Sequence, residues 1–382
     1  MNSESGEFSL RTVEFFSFES APIELQVEWV DSIKMVLDSG QFIGGSANQK
    51  FEREWQNYLS IKHAVGVGNG YDAILIALKG LDIGRGHYVA VPSHTFIATW
   101  LAVAATGATP IGIDCNPDGL MSLDDLEDSS VQFSAVIPVH MHGQMIDMKR
   151  LMLWANIKNV RVVEDCAQAH GAERDGKKAG TWGDFGAFSF YPTKNLGAIG
   201  DAGCLVTNDD QLAVNARSYA NYGSIAGHKY SYQHIGVNSR LDPIQAAILS
   251  VNLKYLDTWN LNRKSSANRY LIGLKKLGIH CLPVDDTSVF HHMVVLSEER
   301  DKSRELLAVN GVKTEIHYPV CAQISFEKLT SANVSSNPTN AIELSNKTLS
   351  LPISPWISES DVDFILNILS IDEVRASFGG AI

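Results

Sequence analysis

The sequence contains no Cys-x-x-Cys pair: its five cysteines, Cys115, Cys166, Cys204, Cys281 and Cys321, are scattered and odd in number. That pattern excludes a disulfide framework and a zinc knuckle. No apolar run approaches the ~18 residues that a membrane-spanning helix needs. The opening segment MNSESGEFSLRTVEFF carries acidic residues where a secretory leader would have a basic end and an apolar stretch. A cytoplasmic protein without a membrane partner is the expectation. Positive charge is scarce as well. With 31 Lys and Arg against 43 Asp and Glu in 382 residues, the formal net charge is −12. This argues against broad binding of nucleic acid, while a local phosphate site stays open. Internal repeats, low-complexity tracts and long charge runs are also missing.

What remains is an ordinary globular composition, 45% hydrophobic and 19% charged. Single domains stop growing near roughly 250 to 300 residues, so one large and one smaller domain are expected. Between about Ala64 and Thr207, short apolar runs (AVGVG, YVAVP, TPIGID, SAVIPVH, VRVVED, GAFSFY, GCLVTN) alternate with helical stretches such as YDAILIALKGL and TFIATWLAVAATG. This alternation predicts an α/β domain around a mainly parallel sheet, with ligands beyond the carboxyl ends of its strands. Helices with a glycine-rich break at Gly40 to Gly45 are expected over residues 23 to 60. Long helices are expected from Asp209 through Leu253 to about Leu277. The large domain with its N-terminal arm is assigned to residues 1–252, and the smaller α/β domain to 253–382.

Three segments carry the chemistry. VRVVED followed by CAQAHGA puts Asp165 where a buried strand leaves the sheet. A carboxylate there needs a cationic partner, although a helix N-cap or a salt bridge would use the same residue. GAFSFYPTKNLGAIGDAG ends a strand at Tyr191-Pro192 and sets Lys194 in a glycine-rich loop, with the Ser189 hydroxyl just before it. Most lysines are solvated; one held against apolar surface has a lowered pKa, as a Schiff-base amine requires. VGVGNGYDAILIAL is a strand, a glycine turn and an immediate helix. It is either a plain connection or a phosphate cradle built from free backbone amides. It is a poor dinucleotide fingerprint, because the third glycine of GxGxxG falls on Tyr71. His140 and His142 in PVHMHGQ would share one face of a continuing strand, which invites zinc, but no third ligand of ordinary spacing is nearby. No metal is expected. Phe96 in PSHTF is either core or a flat surface for a planar ligand.

Taken in order, GNGYDA, PSHTFIAT, PVHMHGQ, EDCAQAHGA, SFYPTKNLGAIGDAG and GVNSRLDPIQAAIL resemble the DegT/StrS family of pyridoxal-phosphate sugar aminotransferases, from about Phe42 to Asn268. The resemblance implies the fold-type I, aspartate-aminotransferase-like architecture and a homodimer with shared active sites. It implies pyridoxal 5'-phosphate as cofactor, bound covalently by Lys194, with Asp165 on the pyridinium nitrogen and Gln168 near the ring hydroxyl. Gly70, Tyr71 and Ser189 match phosphate ligands, Asn238 matches a phosphate ligand reaching across from the other subunit, and Phe96 matches the ring-stacking aromatic. Tyr71 stands where a smaller hydroxyl residue is common, so its amide is the expected contact. The implied substrates are a nucleotide-linked keto sugar and L-glutamate. PSHTFIATW, DTWN, VFHHMVV and EIHYPV look most like enzymes that aminate dTDP-3-oxo-6-deoxyhexoses. Tyr191, His317 and Tyr318 are candidates for the sugar or nucleotide pocket, the last two equally readable as a buried structural pair. Arg240 would contact an anion or tie two helices together. Three rivals stand beside this reading: amination at carbon 4, a family dehydratase with histidine in place of the lysine, and a cofactor-holding regulator. A nicotinamide dehydrogenase is more distant.

Overall fold

The computed structural model describes residues 11–225, 227–228, 230–330 and 337–379. The first ten residues, on which the absence of a leader partly turns, lie outside them. Seven strands form the central sheet: β1 His63–Val67, β2 Tyr88–Pro92, β3 Thr109–Ile113, β4 Ala135–Val136, β5 Arg161–Asp165, β6 Phe185–Ser189 and β7 Gly203–Thr207. Their order is β1-β7-β6-β5-β4-β2-β3. From β6 to β3 all pairings are parallel, whereas β7 runs antiparallel to both β6 and β1. The two reversals cancel, so β1 points the same way as the parallel strands. Its carboxyl end therefore lies on the same edge as those of β2, β4, β5 and β6.

The strands are apolar on both faces because both faces are covered. Successive residues alternate between two cores. Val136, Val162, Phe188 and Val206 face one, with Phe51 and Trp55 from the helix Ser46–Leu59. Val67, Val91, Val163 and Leu205 face the other, against the helices Gly70–Gly80, Ile97–Thr106 and Asp210–Ala220. The helices before the sheet are Ile23–Ser39 and Ser46–Leu59, and Gly40 closes the first at φ 65.

Two expectations need correction. SAVIPVH yields only the two-residue β4, because Pro138 has no amide to continue the ladder. The described residues between Asn221 and Asp242 are not helical: Tyr222 and Gly223 turn back through positive φ (61 and 76), and helix resumes at Pro243–Asn252, capped by Asp242. Leu256–Leu277 then leads to a smaller antiparallel pair, β8 Met293–Leu296 with β9 Thr348–Leu351. Helix residues Ala267, Tyr270 and Leu274 share its core with Val295, Leu349, Val362 and Ile365. The N-terminal arm joins this smaller unit: Val13 is buried there and bridges to Val312. No helix among the described residues is long and apolar enough to cross a membrane.

Candidate active site

The shared strand edge carries the site. After β1, Asn69 caps the helix Gly70–Gly80: its side chain accepts the Asp72 amide and its carbonyl the Ala73 amide. The amides of Gly70 and Tyr71 find no acceptor among the described residues. They stand at the positive end of a helix. The turn is pressed against neighbouring strand ends. A Cβ on Gly70 would lie 2.6 Å from Ser189 Cβ, and one on Gly203 would lie 2.4 Å from the Asn69 carbonyl. Ser189 and the two free amides therefore form one cradle. The Tyr71 ring packs partly on the apolar core, which leaves its amide as the polar contact.

Asp165, at the end of β5, is almost wholly buried. Its Oδ2 accepts from Thr99 Oγ1 (2.9 Å) and its Oδ1 from the Ala167 amide (3.1 Å). Burial nevertheless raises its pKa; these two bonds and the charge of Lys194 oppose the rise only in part. An acid held this way still lacks a close cation. Behind it, Glu164 is fully enclosed and saturated. It accepts from the amides of Gly180, Trp182 and Gly183 and from His140 Nε2 (3.1 Å). This fixes the end of β5; His140, Glu164 and Cys166 bring ligand-type atoms within 4.8 Å of one another, but both carboxylate oxygens are already engaged by the three amides and His140.

Lys194 follows β6, its amide bonded to the Tyr191 carbonyl (2.9 Å). Burial lowers its pKa to about 8, with Asp165 pulling the other way. The amine is thus partly neutral near physiological pH, ready to attack a carbonyl or take a proton. Its Nζ lies 3.5 Å from His291 Nε2.

The remaining candidates divide. Gln168 Oε1 accepts the His142 amide (2.6 Å), and Nε2 donates to the Tyr318 hydroxyl (3.2 Å). Phe96, half exposed, packs against the Tyr318 ring (centroids 5.4 Å). His317 bonds Ser350 Oγ (2.9 Å), and Tyr191 is half exposed in the Lys194 loop. Gln168, Phe96, His317 and Tyr318 gather near Asp165 and Lys194, with Tyr318 in the field of Asp165 and His317 in that of Lys194. Asn238 and Arg240 flank Ser239, whose Oγ accepts the Gly68 amide (2.9 Å) and donates to Asp72 Oδ2 (2.6 Å), so they border the turn that carries the cradle rather than the Lys194 loop. They follow the exposed arm of residues 222–237, where Ile235 is 90% exposed and Tyr230 77%. Arg240 bonds the Asn221 side chain and stacks on Tyr222.

Sequence reasoning missed Thr99, Asn195 and His291. Thr99 was findable as a hydroxyl in the first turn of an otherwise apolar helix. The pair His140 and His142 also behaves differently from the expectation of a shared face. With β4 cut short, His142 sits in a turn at φ 58, and its Nδ1 meets His292 Nδ1 (3.0 Å), away from His140. His292 stacks on His317 at 3.8 Å.

Buried histidines have a further consequence. Burial pushes His94 down to about 4, His170 to about 3, and His142, His291 and His292 well below their usual value. Once unfolded they titrate near 6.5. Below that pH the unfolded chain binds protons that the native one refuses. Stability is therefore full above about pH 6.5 and falls with acidification, by up to about 1.4 kcal/mol per histidine per pH unit. A melting-temperature series from neutral to mildly acidic pH should drop steeply; a flat series would show that the folded protein takes up these protons.

Residues 24–370 match the DegT/DnrJ/EryC1/StrS aminotransferase family, well past Asn268 where the recognisable blocks thin out. A dTDP-3-amino-3,4,6-trideoxy-alpha-D-glucose transaminase of Streptomyces venezuelae is 43% identical over 351 residues, 90% of this chain and 92% of the relative. The erythromycin biosynthesis sensory transduction protein EryC1 of Saccharopolyspora erythraea is 38% identical over 94% of this chain and 98% of its own. Among solved structures, S. venezuelae DesV superposes with a TM-score of 0.90 at 40% identity, covering 94% of this chain and 98% of that one. NtdA of Bacillus subtilis with bound cofactor PMP gives 0.86 at 27% identity, covering 95% and 85%. With this architecture and this agreement along nearly its whole length, the chain belongs to the DegT/DnrJ/EryC1/StrS aminotransferase family.

Proposed function

We propose that this protein is a pyridoxal 5'-phosphate-dependent transaminase that moves an amino group from L-glutamate to a nucleotide-linked keto-6-deoxyhexose in deoxyamino-sugar biosynthesis. The preferred acceptor is a dTDP-3-oxo-6-deoxyhexose, in keeping with the transaminase names of its relatives. One observation carries the reading: a Lys194 amine with a pKa of about 8 lies in the field of a buried carboxylate, Asp165, that has no ion-pair partner among the described residues.

The residues present fit the cofactor. Asp165 would meet the ring nitrogen, the Gly70 and Tyr71 amides and the Ser189 hydroxyl would hold the phosphate, and Phe96 would cover a ring face. Bound there, the cofactor supplies an aldehyde and an electron-accepting ring. Lys194 Nζ then carries a proton between the substrate carbon and the cofactor side. Asp165 keeps its negative charge against a cation, which reverses the penalty of its burial. Gln168, held by the His142 amide, directs its Nε2 protons toward the ring edge and Tyr318. Tyr191, His317, Tyr318 and Arg240 are assigned to the substrate.

A cytoplasmic homodimer completes the proposal, with its product feeding a glycan or lipopolysaccharide. The exposed apolar side chains of the arm (Tyr230, Tyr232, Ile235) and of the first helix (Ile23, Val27, Val30) support a partner copy, to which Asn238 would reach. A division into large and small domains near residue 253 belongs to the same reading.

Incubating the purified, cofactor-loaded protein with L-glutamate should shift its visible absorbance to that of the amine form. Mass analysis with a panel of 3-keto and 4-keto nucleotide sugars should then give one aminated product. A cofactor-holding sensor is the rival that the same experiment separates. Such a protein would show no glutamate half-reaction.

A further inference from the structure

His291 lies behind Lys194, and a chain of amides fixes its tautomer. Asn260 Nδ2 donates to the His170 carbonyl (2.8 Å), and Asn260 Oδ1 accepts from Asn195 Nδ2 (2.8 Å). Asn195 Nδ2 also donates to the Val289 carbonyl (3.0 Å). A carbonyl oxygen cannot donate, so each amide has a single orientation. Asn195 Oδ1 therefore faces His291 Nδ1 (3.0 Å), and Nδ1 carries the ring proton. His291 Nε2 is left with a lone pair toward Lys194 Nζ.

We propose that His291 is a positioning residue for Lys194: its Nε2 accepts one N–H of the amine and so leaves the amine lone pair turned toward the reacting carbon. The inference rests on the reading of Lys194 as the amine that bonds and moves protons. The opposite tautomer would present an N–H to Nζ, occupy its lone pair and blunt it as nucleophile and base. An imidazolium would do the same. The surroundings oppose both. Asn195 holds the tautomer, and the ring is buried among Lys194, Arg263, His292, His317 and His170, whose positive charge or bulk disfavours protonation. Arg263, fully enclosed on the helix Leu256–Leu277, reaches the carbonyls of Phe290 and Ile353, close behind the ring.

The test uses cofactor-free wild type, His291→Leu and His291→Gln. Trace acetylation with acetic anhydride across neutral and alkaline pH, read by mass spectrometry of the Lys194 peptide, reports the titration of the amine. Wild type should titrate at about 8. In His291→Leu the ammonium loses an acceptor, so the titration should move to lower pH. In the loaded enzyme kcat should fall about tenfold or more at nearly unchanged KM for the keto sugar. His291→Gln keeps an acceptor at similar reach and should restore both. If His291→Leu does not fold, Asn195→Leu, which unlocks the tautomer, should show the same two changes. Wild-type titration and kcat in the folded variant would overturn the inference. Lys194→Ala separates the two claims: an active Lys194→Ala overturns the functional reading, whereas an inactive one beside a wild-type-like His291→Leu overturns only the role of His291.

Discussion

Replacing Lys194 by Ala should reduce turnover by about 10⁴-fold or more, because one substitution removes both a covalent nucleophile and a general acid–base. Little folding penalty is expected. Lys194 is only partly buried, its charged form is already disfavoured, and its amine touches His291 without ion-pair geometry to Asp165. The melting temperature should therefore stay close to wild type while the visible absorbance of covalently held cofactor disappears. Lys194→Arg would keep a cation but no nucleophile, and should be equally inactive. Full activity in either variant would remove the basis for the transaminase reading.

The second large effect is expected at Asp165, where activity and stability should move in opposite directions. Asp165→Asn keeps atoms able to meet Thr99 and Ala167 but loses the charge that a ring cation would pair with. Loss of one preorganised electrostatic partner in a buried site costs on the order of 10² to 10³ in kcat. The cofactor-free protein should gain. Because burial raises the Asp165 pKa in the folded state, the unfolded chain releases this proton first as pH rises. The destabilisation begins above the unfolded value near 3.9 and is complete once pH passes the raised folded value. Above about pH 3.9 the carboxyl therefore carries a cost that the neutral amide does not, so Asp165→Asn should melt higher at neutral pH. Differential scanning of both cofactor-free proteins checks this, and a lower melting temperature for Asp165→Asn would mean that the carboxylate anchors β5 even without a cation.

Much of this was legible because strand ends are local features. The limits of β1, β2, β3, β5 and β7 fall within a residue or two of the apolar runs; Asp165 ends its run, Ser189 ends β6 within GAFSFY, and Lys194 follows that run by three residues. What escaped was non-local. His291 meets Asn195 across 96 residues, and Gln168 meets Tyr318 across 150; no spacing rule links such pairs. The missed termination of β4 is a proline effect that periodicity hides. The arm of residues 221–242 looked helical by continuity with its neighbours, but Tyr222 and Gly223 reverse the backbone there. Asn238 and Arg240 end that arm beside the Gly68 turn, a placement fixed by Ser239 bonding to Gly68 and Asp72 across 171 and 167 residues.

The clearance around Gly203 and Gly70 bears on how such a protein can diversify. With a would-be methyl only 2.4 Å from the Asn69 backbone at one and 2.6 Å from Ser189 at the other, neither position can accept even alanine without moving main chain. The anion-holding end of the pocket is thus closed to gradual change. Tyr191 is half exposed and His317 is held by Ser350 outside the cradle, so the part of the site away from it can be remodelled one side chain at a time. Drift in sugar preference should accumulate there, under a cofactor grip that stays invariant by geometry.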